Sequence, residues 1–498
     1  MPLQVKQTDF FGGIADDIRK ATTNEFQISK HFDVFSNPKR LTPYRSLEAD
    51  TETSVSATDL KQYLIRDFLY PSASGKLYGL GQTGAGLTKI VQKAVAESGI
   101  WTLPASSEGN GAVQNGCFFE YKDYAWGFQG TNQIFKWGLL SGTPTITNSV
   151  ATVASTITSV ANGLIAADGN AYLAYNNVVV RIATDASTIT DSAKTVPTNY
   201  KITSLANYGS YLAIGCSPKD SFNGQSKVFI WNLSSDLFAE TIDWGEGDLR
   251  VLESVEGLLV GVTDRYLNNA TGAGRGSMII QGYSGGAAQV LKEVFTQALV
   301  GKTMPISKVI KNNRLFFAAK IMTNSTGTEY HEGIWSFGRK NINYPYTLTL
   351  DLIDENINTS GIQAFGSAAN YFFIAHSGDG SVDKTNDAAT YAFTSIFESQ
   401  IYSFDDPTIT KKLESLSVYT APIPTGGSIT AKYKVDDDTT WTTIGSLSTV
   451  GALARNFINI ESTGANFATS KEVQIRLEST GGAEITGFRI LANPLLGN

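Results

Sequence analysis

The stretch "YGLGQTGAGLTKI" has the glycine spacing of two nucleotide-binding motifs. It contains G-x-G-x-x-G and the outer glycines of a P-loop, formed by Gly79, Gly81, Gly84 and Gly86. A P-loop needs a lysine directly after its last glycine, and Leu87 stands there. A dinucleotide motif needs a helix to follow, whereas "TKIVQKAV" is short and contains β-branched residues. The sequence therefore predicts no cofactor, and antiparallel neighbours at 76–84 and 88–95 with no helix after Gly86.

The pentapeptide "GYSGG" matches the G-x-S-x-G elbow of serine hydrolases, with Ser284 in the nucleophile position. A strand-like segment precedes it, and "AAQVLKEVFTQAL" after it has helical character. His331 or His376 would follow in the required chain order. An elbow also needs a parallel α/β sheet, and the surrounding sequence indicates only β-strands. We therefore expect a loop between strands, and no catalytic residue.

Metal-binding patterns are equally weak. The chain has three histidines, His31, His331 and His376, and none lies in an H-E-x-x-H motif. Acidic residues concentrate in two loops, at Asp379, Asp383 and Asp387 and from Asp436 to Asp438. Calcium favours oxygen-rich loops, but neither has the EF-hand spacing. Solvated turns and no metal site are expected.

Composition restricts the class of protein. Charged residues make up 17% of the 498 residues, against roughly 25% in average domains. The net charge is -7 without a long basic run, so sequence-independent binding to nucleic acid is not expected. Cys117 and Cys216 lie outside any C-x-x-C pair and are predicted to be buried. With no signal peptide and no apolar run of roughly 18 residues, we expect synthesis in a cytoplasm and no membrane insertion.

A short repeat organises the middle of the chain. Each copy has a turn residue, then an aromatic residue or leucine, then an apolar strand, as in "NAYLAY", "SYLAIG" and "NYFFIA". The leading residues of the seven copies are Leu77, Tyr124, Tyr172, Tyr211, Leu258, Leu315 and Tyr371, with a mean spacing of 49 residues. Most copies have a strand before and another after, and four-stranded units of this length are typical of propeller blades. An all-β, seven-bladed β-propeller over residues 61–398 is predicted, with a parallel β-solenoid as the rival fold.

The two ends differ from the repeat. Residues 399–498 contain cleanly alternating strands such as "SITAKYKV", which predict an antiparallel β-sandwich or jelly roll. Residues 1–60 are predicted to form an N-terminal extended arm. This arm would wrap the propeller, lend it a closing strand, or reach a neighbouring subunit.

The layout resembles bacteriophage virion proteins, in particular the tail proteins of short-tailed phages in which a propeller forms the nozzle below the portal. The similarity lies in "DFFGGIADDIRK", "FDVFSNPKRLTPYRSLEAD", the "NYGSYLAIG" repeats and the closing "ITGFRILANPL". It implies a cyclic ring, commonly of six copies, stacked on a portal adaptor beside tail fibres. DNA would pass through the ring without specific binding. Tail-tip and head- or tail-attached fibre proteins would have a similar sequence.

Three hypotheses follow. The first is a structural, non-enzymatic virion tail protein. The second is a receptor- or glycan-binding adhesin, with Trp441 beside "DDDTT" as the candidate aromatic contact. The third is a propeller glycosidase, which is disfavoured because the sialidase turn repeat S-x-D-x-G-x-x-W is missing and no carboxylate pair can be assigned.

Overall fold

A computed structural model describes residues 3–15, 24–50, 63–71, 74–94, 100–219, 224–266, 275–297, 307–322, 330–353, 361–376, 381–385, 394–404, 406–451, 455–459 and 469–495. These residues form β-strands and connecting turns. No helix among them is long and apolar enough to cross a membrane.

The strands of the first part of the chain are β1 (Leu3–Gln7), β2 (Gly13–Ile14), β3 (Glu25–Lys30), β4 (Phe32–Asp33), β5 (Thr42–Pro43), β6 (Leu47–Ala49), β7 (Leu64–Leu69), β8 (Leu77–Gln82), β9 (Leu87–Lys93), β10 (Trp101–Thr102), β11 (Glu108–Tyr121), β12 (Tyr124–Gln129), β13 (Gln133–Gly138) and β14 (Thr145–Thr152). The next are β15 (Val160–Ile165), β16 (Ala171–Tyr175), β17 (Val178–Ile182), β18 (Ile189–Thr195), β19 (Tyr200–Tyr208), β20 (Tyr211–Pro218), β21 (Gln225–Trp231), β22 (Glu240–Glu246), β23 (Asp248–Val255), β24 (Leu258–Tyr266), β25 (Arg275–Tyr283), β26 (Gln289–Gln297), β27 (Lys308–Lys311) and β28 (Arg314–Met322). The last are β29 (Tyr330–Gly338), β30 (Thr347–Ile353), β31 (Ile362–Ala368), β32 (Tyr371–His376), β33 (Val382–Thr385), β34 (Ser395–Ser399), β35 (Lys411–Thr420), β36 (Ser428–Val435), β37 (Thr442–Leu447), β38 (Arg455–Asn459), β39 (Thr469–Ser470), β40 (Val473–Thr480) and β41 (Ile485–Pro494).

The chain forms two compact units. The central unit contains residues 48–332 and 354–385, and the terminal unit contains residues 1–47, 333–353 and 386–498. Both units are therefore assembled from segments that are distant in sequence.

The central unit is built from propeller-like, four-stranded antiparallel sheets. Three of them run in chain order, β15 to β18, β19 to β22 and β23 to β26. A larger sheet joins β7, β8 and β9 to β12, β13 and β14, because the long strand β11 pairs with β9 at its start and with β12 at its end. In the last sheet, β31, β32 and β33 receive a fourth strand from β6. Lending a strand is one of the roles expected for the N-terminal arm.

The repeat seen in the sequence marks the second strand of each hairpin that opens a sheet. The turn before that strand needs a left-handed backbone, which glycine and asparagine adopt most readily. Positive φ angles occur at Gly75, Asp123, Gly169, Gly209, Gly257, Asn313 and Ala369. The recurring turn residue is thus a conformational requirement of the hairpin.

Aromatic side chains fill the space between consecutive sheets. Tyr172 contacts Trp231 across one interface, with 5.8 Å between ring centroids, and Phe128 contacts Tyr175 across another, at 5.8 Å. Strand β7 also packs on β32 of the last sheet, where the ring centroids of Phe68 and Phe373 are 6.3 Å apart. The sheets are therefore stacked in sequence order, and the first contacts the last.

The described part of the terminal unit contains two large sheets and the two-stranded pair of β4 and β5. One has the order β1-β41-β35-β38, with β39 on β35. The other contains β30, β3, β34, β40, β36 and β37 in that order, together with the part of β29 from Gly333 onward. Phe488 of the first sheet packs on Phe397 of the second, with 5.9 Å between ring centroids. Phe10 and Phe26 complete this buried aromatic core.

Candidate functional site in the linked first strands

The strand that opens each hairpin of the central unit is called a first strand here, and these are β7, β11, β15, β19, β23, β27 and β31. Neighbouring first strands are joined by side chains that bond to backbone groups. Asn162 on β15 donates to the Leu205 carbonyl at 3.0 Å and accepts from the Leu205 N–H at 2.9 Å. The amide side chain therefore substitutes for a strand pairing between two sheets.

Lys308 is the centre of the largest such cluster. Its Nζ donates to Ser204 Oγ at 3.1 Å, to the Leu205 carbonyl at 2.8 Å and to the Leu252 carbonyl. The Glu253 carboxylate lies 3.1 Å away. Burial lowers the pKa of Lys308, and Glu253 acts in the opposite direction. Three first strands, β19, β23 and β27, are therefore held together by one buried ammonium group.

The remaining links join β7 to its neighbours on both sides. Arg66 donates to Gln363 of β31 at 2.8 Å. Asp67 accepts the N–H of Phe118 on β11 at 3.1 Å and the N–H of Phe68 at 2.9 Å. Burial raises the pKa of Asp67 to about 7, although both backbone hydrogen bonds favour the ionised form.

A second polar cluster lies where the last sheet meets the first. The N–H of Asp50, directly after β6, donates to the Val382 carbonyl of β33 at 2.8 Å. Its carboxylate accepts from Lys93 Nζ at 2.5 Å and from Trp101 Nε1 at 2.7 Å. The Lys93 and Asp50 side chains are 1% and 5% exposed. We call this cluster the Asp50 clasp, because one residue binds both sheets.

These clusters have the chemistry of cross-links. A lysine that donates to carbonyls and lies beside a carboxylate is held in a fixed position between strands. Cys117 is buried, and that burial raises the pKa of its thiol, which keeps it protonated and unreactive. No group of three or more metal-ligating side chains occurs in the described part of the chain. The arrangement links and positions the strands of neighbouring sheets.

The titration of Asp67 gives a testable pH dependence. In the folded protein the Asp67 carboxyl keeps its proton up to about pH 7. In the unfolded chain an aspartate loses its proton near pH 3.8. Stability from this group is complete below the unfolded pKa and declines as the pH rises through the folded pKa. We expect Asp67→Asn to remove a decline of about 2 kcal/mol between pH 4 and 8, less than the full shift because Asp67 as a residue is only partly buried. Urea denaturation of both proteins across this range measures the difference.

Asp185 provides a control in which the contribution to stability depends on pH in the opposite direction. Hydrogen bonds from Thr188 and Ser187 lower the pKa of its exposed carboxyl. Its contribution to stability is present above the unfolded pKa and declines as the pH falls. Equal pH profiles for wild type and Asp67→Asn would contradict the raised pKa of Asp67.

The glycine stretch forms two antiparallel strands, as the sequence predicts. β8 pairs with β9 from Leu77↔Lys93 to Gln82↔Thr88, and Gly86 has a φ of 84° in the connecting turn. A Cβ at Gly79 would lie 2.9 Å from Val91, so this glycine permits close packing. Leu77 and Tyr78 belong to different buried clusters and therefore face opposite sides of the sheet.

The geometry of "GYSGG" is not that of a nucleophile elbow. β25 ends at Tyr283, and β26 begins at Gln289 as its antiparallel partner. The helical character expected after Ser284 was wrong over Gln289–Gln297, because Leu291, Lys292 and their neighbours continue a hairpin. Ser284 is exposed in the connecting turn.

The remaining candidate residues are dispersed. His31 is buried in the terminal unit, and His376 Nε2 lies 3.3 Å from Asp383 Oδ2 in the central unit. Asp436 caps a turn by accepting the N–H groups of Lys471 and Glu472 at 2.8 and 2.9 Å. Asp379, Asp387 and the side chain of His331 lie outside the described residues. Both cysteines are free and buried, which confirms the prediction for them.

The sequence analysis missed Asp50, Lys93 and Lys308. Each is a charged residue in an ordinary strand pattern, and only their burial and partners single them out. Lys308 is followed by apolar residues in "SKVIKNN", which is the one local hint that its strand is internal.

Comparisons with known proteins found no matching family and no matching curated protein. Among solved structures, the Dos1 propeller is 13% identical, with 68% of this chain and 94% of that chain covered and a TM-score of 0.41. The N-terminal domain of Nup159 is 9% identical, covering 75% and 99%, with a TM-score of 0.40. The Pan2 WD40 domain of Neurospora crassa is 10% identical, covering 68% and 94%, with a TM-score of 0.39. At these scores the similarities carry no information about function.

Proposed function

We propose that the chain is a structural assembly protein, built from a seven-bladed β-propeller and a terminal β-sandwich. The observation that carries the proposal is the cross-linking of the first strands. Ionisable groups that a propeller enzyme would direct at a substrate are here bonded to carbonyls and carboxylates of neighbouring strands, as at Lys308 and Arg66. Cross-linking of the first strands by these side chains favours rigidity over catalysis.

The particular structure we propose is a ring of the bacteriophage virion tail, a nozzle or tail-tip component with six copies. Lys308 extends from β27 to both β19 and β23, so a side chain bridges the space between these three first strands. In this proposal the DNA channel lies between copies. The net charge of -7 is compatible with such a conduit, because an acidic wall would not retain the duplex. Portal adaptor and tail fibre proteins are the proposed neighbours.

Assembly of the full chain tests this function. We expect negative-stain microscopy and light scattering to show closed rings of about six copies, and labelled antibody to mark the tail axis of the parent particle. A chain that stays monomeric and is missing from virions would contradict the proposal. Hydrolysis of a host polysaccharide, lost on changing one carboxylate, would instead favour the glycosidase hypothesis.

A further inference from the structure

Trp441, the aromatic candidate for contact with a receptor or glycan, is half-buried in the terminal unit. Lys434 Nζ and Arg476 Cζ lie 4.7 and 5.7 Å from the centroid of its ring. These cations cover the indole, which leaves little of the ring for a ligand.

Three sheets of the central unit, β15 to β18, β19 to β22 and β23 to β26, each run in chain order. In such an antiparallel sheet the turn after the first strand and the turn after the third strand lie at the same end. In these sheets the turns are residues 166–170, 183–188, 209–210, 232–239, 256–257 and 284–288. We call these six turns and the strand residues beside them the turn end.

The exposed large apolar side chains of these sheets are concentrated at the turn end. In the described part of residues 160–297, the large apolar residues that are at least 39% exposed are Ile165, Tyr211, Leu237 and Val290. Leu237 is 76% exposed and lies within a turn, and the other three lie within two residues of a turn. Single exposed apolar residues are ordinary on a protein surface, but a group of them at one end of adjacent sheets indicates a contact surface.

Contacts between neighbouring sheets make this surface continuous. Asn207 Nδ2 donates to the Ile165 carbonyl at 2.9 Å, which joins the ends of β15 and β19. Tyr208 packs on Tyr283 at the end of β25, with 5.8 Å between ring centroids. The Tyr283 hydroxyl donates to Glu240 Oε2 at 2.5 Å, at the start of β22. The turns of all three sheets therefore meet.

The turn end carries negative charge. The charged residues of the six turns are Asp168, Asp185, Asp236 and Glu256, and the turns contain no lysine or arginine. Glu240, the first residue of β22, adds a fifth carboxylate. Asp168 and Asp185 accept hydrogen bonds from hydroxyl and amide groups, which are neutral donors and do not cancel the charge.

The turn that presents Leu237 is held in a fixed shape. Asn232 Oδ1 accepts the N–H of Ser235 at 2.8 Å. The Ser235 carbonyl accepts from Trp231 Nε1 at 2.8 Å and from Lys194 Nζ at 3.1 Å. Binding through Leu237 would therefore order few further groups, and a preorganised surface loses little entropy on association.

We propose that the turn end binds a protein that presents lysine or arginine side chains around aliphatic ones. Leu237 and Tyr211 pack against the aliphatic side chains of this partner, and the surrounding carboxylates attract its cations. This inference goes beyond the proposed ring and does not depend on it.

The charge of the turn end disfavours other classes of partner. Asp168, Asp185 and Glu240 would repel the phosphates of nucleic acid. They would also repel an anionic membrane surface, which attracts lysine and arginine instead. Self-association of two turn ends would place like charges opposite each other, which is unfavourable.

Fluorescence anisotropy tests the proposal, with the full chain titrated into a labelled peptide of the repeat Lys-Leu-Leu-Lys-Lys-Leu-Leu. We expect saturable binding that weakens between about 50 and 300 mM salt, because exposed carboxylates are screened. Leu237→Ser/Tyr211→Ser should lower the affinity at least about tenfold, since it removes two apolar contacts. Asp236→Asn/Glu240→Gln should lower the affinity and also reduce its dependence on salt.

A matched variant separates this surface from the net charge of the chain. Asp437→Asn/Asp438→Asn removes two exposed carboxylates from the terminal unit and should leave peptide binding unchanged. A peptide with serine in place of leucine should bind at least about tenfold more weakly, because its apolar contacts are lost. A peptide with glutamate in place of lysine should not bind.

Three results would overturn the proposal. The first is the absence of saturable binding by the wild type. The second is equal binding by Leu237→Ser/Tyr211→Ser and the wild type, or an equal loss in Asp437→Asn/Asp438→Asn, since net charge alone would then attract the peptide. The third is a wild type that ignores the peptide but forms oligomers that Leu237→Ser/Tyr211→Ser dissociates in sedimentation, which would identify a second copy as the occupant.

Discussion

Replacing Asp50 by asparagine is expected to destabilise the central unit by about 3–5 kcal/mol. The substitution keeps the size of the side chain but removes the negative charge that faces Lys93 and Trp101. Lys93 is 1% exposed, so its ammonium group would stay in the protein interior beside a neutral amide. The amide also cannot accept from both donors in the same geometry, because one of its ends is itself a donor. Urea denaturation followed by tryptophan fluorescence and circular dichroism measures the loss.

A surface pair provides the matched control for Asp50. Lys227 and Asp243 lie 2.8 Å apart, with Asp243 70% exposed, so Asp243→Asn should cost less than about 1 kcal/mol. The double variant Asp50→Asn/Lys93→Met should be more stable than Asp50→Asn alone, since it removes a buried charge that has lost its carboxylate partner. Equal losses for Asp50→Asn and Asp243→Asn would show that the clasp adds no more than a surface ion pair.

The sheet pattern could be predicted because it rests on local constraints. Each opening hairpin needs a positive φ angle before an apolar strand, and positions such as Gly209 and Asn313 show this directly in the sequence. In β36, Ile429, Ala431 and Tyr433 are buried while the intervening residues are more exposed, which confirms the alternation predicted there. Period-two burial is a property of any strand with one covered face.

The charged clusters could not be predicted, because their members are remote in sequence. Asp50 is 43 residues from Lys93 and 51 from Trp101, and Lys308 is 104 residues from Ser204. Nothing in strand periodicity distinguishes a buried lysine from a solvated one. The domain boundaries predicted at residues 60 and 398 stay a prediction, as do the blade number and the terminal sandwich.

Substitutions that disrupt the packing of Trp244 on Gly261 are expected to cause the second large loss of stability. Trp244 on β22 is fully buried, and a Cβ at Gly261 on β24 would lie 2.6 Å from its Nε1 and 2.7 Å from two further ring atoms. Glycine thus provides the space that lets the indole of one sheet lie against the backbone of the next. Trp244→Ala should cost about 3–5 kcal/mol through the cavity it creates, and Gly261→Ala about 1–3 kcal/mol through overpacking.

The two substitutions at this interface should be coupled, because the methyl group of Gly261→Ala can occupy space that Trp244→Ala vacates. We expect the double variant to be more stable than the sum of the single losses by at least about 0.5 kcal/mol. Gly84→Ala is the matched control, since a Cβ at Gly84 meets nothing within 4 Å and should leave the free energy of unfolding nearly unchanged. Additive losses, or a neutral Gly261→Ala, would mean that the sheets can move apart to accept a methyl group. Non-additive losses would instead show that Gly261 sets the distance between these two neighbouring sheets.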